Sequence, residues 1–204
     1  MAIFFLVRHG QNDMVGKKLA GRLPGVHLNP QGQAQARRLA AELAELPLKA
    51  VYASPLERAQ ETAEPIARIH DLPVLTDTGL IELDYGQWQG KSIKQLRRSR
   101  LWKDVQNTPD GFCFPGGETF NAAQSRIAQT LRTLSQGYTE KELILCVSHC
   151  DVIRLAVAAF LHMPLNDFQR LNIDTASVTV LNLVEEKVSF GPINASTVFA
   201  AFRG

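Results

Sequence analysis

Residues 2–7 (Ala-Ile-Phe-Phe-Leu-Val) form an unbroken apolar run too short for a helix. This pattern predicts a strand buried on both faces in the middle of a sheet, with Arg8 at its C-terminal end. Residues 143–147 (Leu-Ile-Leu-Cys-Val) show the same pattern and run into Ser148-His149. Shorter apolar runs at 50–53 and 72–75 predict two further strands. Residues 178–183 and 187–190 predict a late pair joined by a turn at Glu185-Glu186.

Helical spacing fills the intervals. Asn29-Pro30 marks a helix start, and Ala34, Leu39, Leu43 and Leu46 recur at helical intervals up to Pro47. Ser54-Pro55 offers an N-cap followed by proline at the first helical position, where a missing N–H costs nothing. Gly116-Gly117-Glu118-Thr119 opens a long helix with Ala122, Ile127, Leu131 and Leu134 facing inward, ending near Gly137. A further helix, beginning over 148–151, carries Ile153, Val157, Phe160 and Leu161 on its apolar side. Strands alternating with helices predict an α/β fold, a three-layer α/β/α sandwich with a mostly parallel central sheet. Residues 80–90 lack a clean period and read as an ordered loop. Residues 92–114 mix a basic helical pattern with a polar turn at 108–111, and predict an irregular cap over the sheet's end. The whole chain, 1–204, reads as a single domain.

Composition narrows the function classes. With 45% hydrophobic and 21% charged residues the chain is neither a disordered tail nor a membrane protein. Twenty-two basic against 20 acidic residues leave a net charge of +2, so neither nucleic acid nor a membrane surface is an expected partner. The basic cluster of Lys94, Arg97, Arg98 and Arg100 reads as a solvated helix face. Cys113, Cys146 and Cys150 have no zinc spacing and form no disulfide framework, which predicts a reducing, cytoplasmic setting. The N-terminal apolar run has no basic segment before it and no cleavage site after it, so it reads as a strand rather than a signal peptide. No apolar run approaches the roughly 20 residues needed to span a bilayer.

In sheets of this kind ligands bind beyond the C-terminal ends of the strands. Two predicted strands end there in Arg8-His9 and Ser148-His149; if they are neighbours, the two histidines meet. Arg58, on the helix after the strand at 50–53, adds a second guanidinium fork. Each residue alone has a plain structural reading, His9 and His149 as packed imidazoles and Arg58 as an ion-pair partner of Glu57 or Glu61. Together, two bidentate forks, two imidazoles and a helix N-terminus are the components of a phosphate site.

The segment Leu6-Val7-Arg8-His9-Gly10 resembles the RHG signature of the histidine phosphatase (phosphoglycerate mutase-like) superfamily. Residues 54–63 (Ser-Pro-Leu-Glu-Arg-Ala-Gln-Glu-Thr-Ala) resemble its second motif. Glu82 with residues 83–90, Pro115-Gly116-Gly117-Glu118, and Val147-Ser148-His149 resemble the remaining motifs in the same order. The resemblance implies the superfamily's sandwich fold and a metal-independent phosphatase acting through a phosphohistidine, with no cofactor and a small phosphorylated metabolite as partner. It makes His9 the nucleophile and Glu82 the proton donor. Arg8, Arg58 and a protonated His149 hold the phosphoryl group, and Asn12 stands where the family often has Ser or Thr near the phosphate. These roles need a neutral His9 and a protonated Glu82, hence a raised Glu82 pKa or a mildly acidic optimum, and a bell-shaped pH profile.

The chain departs from the pattern after His149, where Cys150 and Asp151 replace the usual glycine. Cys150 reads as a packed thiol or a reactive one. Asp151 reads as a helix-start residue, or as a carboxylate that selects a cationic or hydroxyl group on the substrate. Lys17, Lys18 and Arg22 follow the signature closely enough to reach a second anionic group. Trp88, Trp102 and Phe112 are candidates for stacking on a ring or for core packing. Phosphoglycerate mutase chemistry and an idle phospholigand-binding module are the competing functions, and Arg97-Arg98-Ser99 is at most a fragment of the mutases' basic insertion.

Overall fold

A computed structural model of the chain describes residues 2–184 and 187–196. Its strands are β1 (Ala2–Arg8), β2 (Leu48–Ala53), β3 (Val74–Thr76), β4 (Glu142–Ser148), β5 (Val178–Val184) and β6 (Lys187–Phe190), in one sheet of order β3-β2-β4-β1-β5-β6. The first four run parallel, while β5 is antiparallel to both β1 and β6. The sheet is mixed and mostly parallel, as the alternation of strands and helices predicts.

Six α-helices accompany the described strands: α1 (Pro30–Leu43), α2 (Glu57–Ile69), α3 (Ile93–Leu96), α4 (Arg100–Asn107), α5 (Phe120–Ser135) and α6 (Cys150–Phe160). Side chains alternate across a strand, so β1 sends Phe5 and Val7 to one face and Phe4 and Leu6 to the other. Phe5 and Val7 join Leu145 and Val147 of β4 under α1 and α2. Phe4 and Leu6 join Ile144 and Cys146 under α5 and α6. The three layers follow directly from strands that are apolar on both sides.

Several boundaries differ from the sequence reading. Helix α1 ends at Leu43, before Pro47, and buries Ala36 and Ala40 while Ala34 is exposed. In α5 it is Ala123 that is buried and Ala122 that is exposed, with Leu134 only half-buried. Alanine, small and weakly apolar, marks a buried face poorly; Leu39, Leu43, Ile127 and Leu131 mark it correctly. Leu161 lies beyond the end of α6 and is exposed. Ser54 does not cap α2, which begins at Glu57 after Leu56. Residues 78–80 and 86–88 form 3-10 turns, and the 92–114 segment holds α3 and α4. The Glu185-Glu186 turn lies outside the described residues. No helix of the described chain is long and apolar enough to cross a membrane.

The loop after β1 is seated by two glycines. A Cβ on Gly32, in the first turn of α1, would collide with the Gln11 carbonyl, and one on Gly10 would come within 2.7 Å of the Gly32 carbonyl. Backbone therefore packs on backbone, which fixes the loop against α1. Gly32→Ala is expected to destabilise the fold by about 1–3 kcal/mol through this overpacking, despite alanine's better helix propensity. Chemical denaturation of the two proteins measures the difference.

Candidate active site

Strand β1 pairs with β4 in a register that sets Arg8 opposite Ser148. The next residues of the two strands, His9 and His149, therefore emerge side by side at the C-terminal edge of the sheet. The His9 N–H donates to the Ser148 carbonyl at 3.0 Å, extending the ladder by one bond. The two imidazole centroids are 5.2 Å apart, with planes inclined by 59°. Arg58, in the first turn of α2, is only 1% exposed, and Arg8, His9, Asn12, Arg58 and Glu82 line one cavity of about 220 Å³.

Neighbours fix the orientation of each group. The His9 Nδ1–H donates to the Gly10 carbonyl at 2.7 Å, because a carbonyl can only accept. Its other nitrogen, Nε2, then carries the lone pair. The Gly10 N–H donates to Thr62 Oγ1 at 3.0 Å, and that hydroxyl donates to the Arg58 carbonyl at 2.7 Å, tying the His9 loop to α2. Ser54 Oγ lies 2.8 Å from His149 Nε2. With the serine hydroxyl donating, His149 keeps its proton on Nδ1, which is buried and has no hydrogen-bond partner among the described residues. Ser54 Oγ also accepts the Leu56 N–H at 3.4 Å, ahead of the start of α2 at Glu57.

The arginines are held from behind. Arg8 donates to the Ile173 carbonyl at 2.6 Å and Arg58 to the Gly21 carbonyl at 2.7 Å. Arg8 Nε, Arg58 Nε and one Arg58 terminal nitrogen are buried without partners among the described residues. Glu57 and Glu61 do not pair with Arg58; they accept the N–H groups of Gly25 and Leu28. Asn12 Oδ1 accepts the N–H groups of Met14 and Val15 at 2.9 and 3.2 Å, so only its amide N–H₂ remains to face a ligand.

Burial and charge set the protonation states. His9 is lowered to about 3, by desolvation first and then by the Arg58 and Arg8 charges, against the Gly10 hydrogen bond. His149 is pushed well below the usual imidazole range by burial, then by Arg58, His9 and Arg8. It is therefore neutral at pH 7, which corrects the expectation of an imidazolium: two guanidiniums already crowd the site, and a third cation without solvent is unfavourable. Glu82 is raised to about 7 by burial and then by the Asp151 carboxylate, with Arg58 opposing. Glu82 Oε2 lies 4.0 Å from His149 Nδ1, and with His149 neutral this contact is not an ion pair.

Tyr85, Cys150, Asp151 and Arg154 complete one side of the cavity wall. Tyr85 donates to Asp151 at 2.9 Å, and Asp151 pairs with Arg154 at 3.0 Å. Asp151 is thus satisfied by neighbours on its own helix and on the facing loop. Arg154, one turn along α6 from Asp151, was legible as an i,i+3 partner. Cys150 is pushed up to about 12 by burial and then by Asp151, which makes it a packed thiol at pH 7. Of the basic stretch after the signature, Lys18 lines the cavity, Lys17 lies in a neighbouring groove with Lys94, Arg97 and Arg98, and Arg22 is structural. Arg22 donates to the Glu82 carbonyl at 2.8 Å and to Glu118 at 2.9 Å. Glu118 Oε1 also accepts from Arg126 at 3.0 Å and from the Asp84 N–H at 2.9 Å.

Among the described residues no group of three or more His, Cys, Asp or Glu side chains is arranged to hold a metal ion. Glu118 is the anchor of the segment that carries Glu82. Glu118→Gln, which leaves two guanidiniums facing an uncharged amide, is expected to cost about 2–3 kcal/mol of stability by denaturant titration.

Comparison with known proteins supports the resemblance seen in the sequence. The model of the histidine phosphatase superfamily (branch 1) matches residues 4–195. Phosphoserine phosphatase 1 of Hydrogenobacter thermophilus is 29% identical over 195 residues, covering 92% of this chain and 89% of that protein. The 2,3-bisphosphoglycerate-dependent phosphoglycerate mutase of Thermoplasma acidophilum is 28% identical over 192 residues, covering 90% and 88%. Among solved structures, the mycobacterial glucosyl-3-phosphoglycerate phosphatase complexed with VO3 superposes with a TM-score of 0.85 at 26% identity, covering 95% of this chain and 98% of that one.

Proposed function

Because the chain belongs to the histidine phosphatase superfamily (branch 1), we propose that it hydrolyses a small phosphomonoester through a phosphohistidine on His9, without a metal. One observation carries the reading: Arg8 and Arg58, each with buried donors that have no partner among the described residues, line one cavity with the His9 imidazole, and the partnerless Nδ1 belongs to His149, whose ring lies 5.2 Å from that of His9. Buried donors are otherwise almost always paired, so a cluster of them is built for an anion.

The His9 Nε2 lone pair attacks phosphorus in line, and the P–O bond to the leaving alcohol breaks. Its electron pair goes to the ester oxygen, which takes the Glu82 proton. Arg8, Arg58 and the His149 Nδ1–H hold the three non-bridging oxygens, where charge persists through the transition state. Glu82, now a carboxylate, takes a proton from water as that water attacks phosphorus. The P–N bond then breaks, returning its pair to Nε2 and releasing inorganic phosphate. Two fixed guanidiniums supply the positive charge, so no step is routed through a metal.

Two measurements test the reading. Phosphate release from an aryl phosphate is expected to persist in EDTA and to be lost in His9→Ala; EDTA-sensitive turnover, or full turnover in His9→Ala, refutes it. Release from 3-phosphoglycerate without formation of 2-phosphoglycerate separates phosphatase from mutase.

The pH dependence follows from the same groups. Glu82 must hold its proton, so kcat/KM falls as pH rises through about 7; His9 must be without one, so it also falls toward about 3. Glu82→Gln is expected to lower kcat on an alkyl phosphate by about 10²–10⁴-fold and to abolish the upper limb. A profile flat from about pH 4 to 9 removes Glu82 as the acid.

A further inference from the structure

A second cavity, of about 280 Å³, lies against the catalytic one. The two share Leu19, Tyr85, Asp151 and Arg154 as walls. Beyond those residues the second cavity is lined by the rings of Trp88, Trp102, Phe114 and Phe120 with Val105, and Gln106 and Gln169 stand at its edge. Resting on the phosphatase reading above, we propose that this cavity holds the leaving alcohol, and that the substrate is a phosphomonoester whose alcohol carries a planar aromatic or heteroaromatic ring.

Direction is the first argument. In-line attack by His9 makes the ester oxygen depart on the far side of phosphorus, where it must meet Glu82. Tyr85 follows Glu82 by three residues and forms the boundary between the cavities, so an alcohol leaving past Glu82 points toward the aromatic walls. At that boundary the hydrogen-bonded chain Tyr85–Asp151–Arg154 faces the Leu19 side chain, offering polar groups to the linking part of the alcohol and an apolar contact opposite.

Size and rigidity agree with this direction. A cavity of about 150 Å³ already accepts a benzene ring, so the volume here takes one ring with its substituents. The walls are preformed: Trp88 and Trp102 stack with centroids 6.1 Å apart and planes within 16°. Gln169 ties α4 in place by donating to the Val105 carbonyl at 2.9 Å. Trp88 and Phe114 also pack edge to face at 5.5 Å, and are 5% and 2% exposed. Trp102 is half-buried and presents the accessible ring.

A rival route leads from Gly16 and Ile93 into the groove of Lys17, Lys94, Arg97 and Arg98. Those four side chains are exposed. Solvated charges at a screened surface contribute little binding, whereas burying a ring removes apolar area from water at about 25 cal/mol per Å². The aromatic cavity is therefore the stronger determinant of substrate choice.

The test compares kcat/KM for ethyl phosphate with benzyl, 2-phenylethyl and 3-phenylpropyl phosphates, whose leaving alcohols have similar basicity, so that chemistry cancels and ring binding remains. At least one ring-bearing ester is expected to exceed ethyl phosphate by tenfold or more. Trp102→Ala, which removes the stacking face, and Gln106→Trp, which fills the cavity from its exposed edge, are each expected to bring that ratio below about threefold. The two variants perturb the fold differently, and a ratio is insensitive to partial misfolding. A native ratio near unity for all three esters, retention of the preference in both variants, or a native preference for phosphoserine or 3-phosphoglycerate over every ring-bearing ester overturns the inference and leaves the phosphatase reading standing. Absence of phosphate release from all the esters overturns the phosphatase reading itself.

Discussion

The arrangement depends on burying the Arg58 guanidinium, with the part-buried Arg8 near it, beside two imidazoles, with no carboxylate bonded to either arginine among the described residues. Arg58 is among the largest fully buried side chains of the described residues, and its only hydrogen bond there is to a backbone carbonyl. A buried cation ordinarily finds an anionic partner or loses its charge, and arginine does not lose its charge. The structure accepts this cost around one small cavity, and the protonation states follow from it. Dry surroundings and then the positive field hold His9 and His149 neutral, while burial and Asp151 raise Glu82 to about 7, so that it keeps its proton below neutral pH. The lone pair of His9 and the raised proton affinity of Glu82, which the proposed mechanism requires, thus follow from one electrostatic constraint.

That constraint needs a rigid frame, and the frame combines backbone register with side chains that tie loop backbone groups down. The parallel β1–β4 register places the two histidines; the Gly10–Gly32 contact and Thr62 hold the loop that follows β1. On the opposite wall, a single carboxylate oxygen of Glu118 gathers Arg22, Arg126 and the Asp84 N–H. Arg126 in turn donates to the Gly79 and Ile81 carbonyls at 2.8 Å, so the irregular segment bearing Glu82 is pinned at several points. A loop with no regular hydrogen-bond ladder keeps a catalytic side chain in place only when its backbone groups are satisfied in this way.

Beyond this frame the walls differ by side. The Tyr85–Asp151–Arg154 chain consumes the carboxylate that replaces glycine after His149, so Asp151 acts on the site through its field on Glu82 and its bonds to neighbours, and not as a free negative group. Helix α4, inside a segment whose composition suggested only a basic irregular cap, contributes Trp102 to the rings of the second cavity, beside Trp88, Phe114 and Phe120 from other elements.

The sequence by itself determined the layered α/β fold, because apolar runs of five or six residues without alternation are too short for helices and suit strands covered on both faces. It also determined which groups meet at the candidate site, because Arg8-His9 and Ser148-His149 end two such strands and Arg58 lies in the first turn of a helix. Local pattern misjudged Ala34, Ala122 and the Ser54 cap, where a weakly apolar residue or a hydroxyl has two uses of similar energy and a distant contact chooses. Only the tertiary structure decided that His149 is neutral, that Ser54 faces it, that Glu118 anchors the Glu82 segment and that Trp102 borders a cavity. Each of these depends on residues tens of positions apart meeting in a dry interior, where desolvation and a few fixed charges outweigh anything the neighbouring residues in the chain prefer.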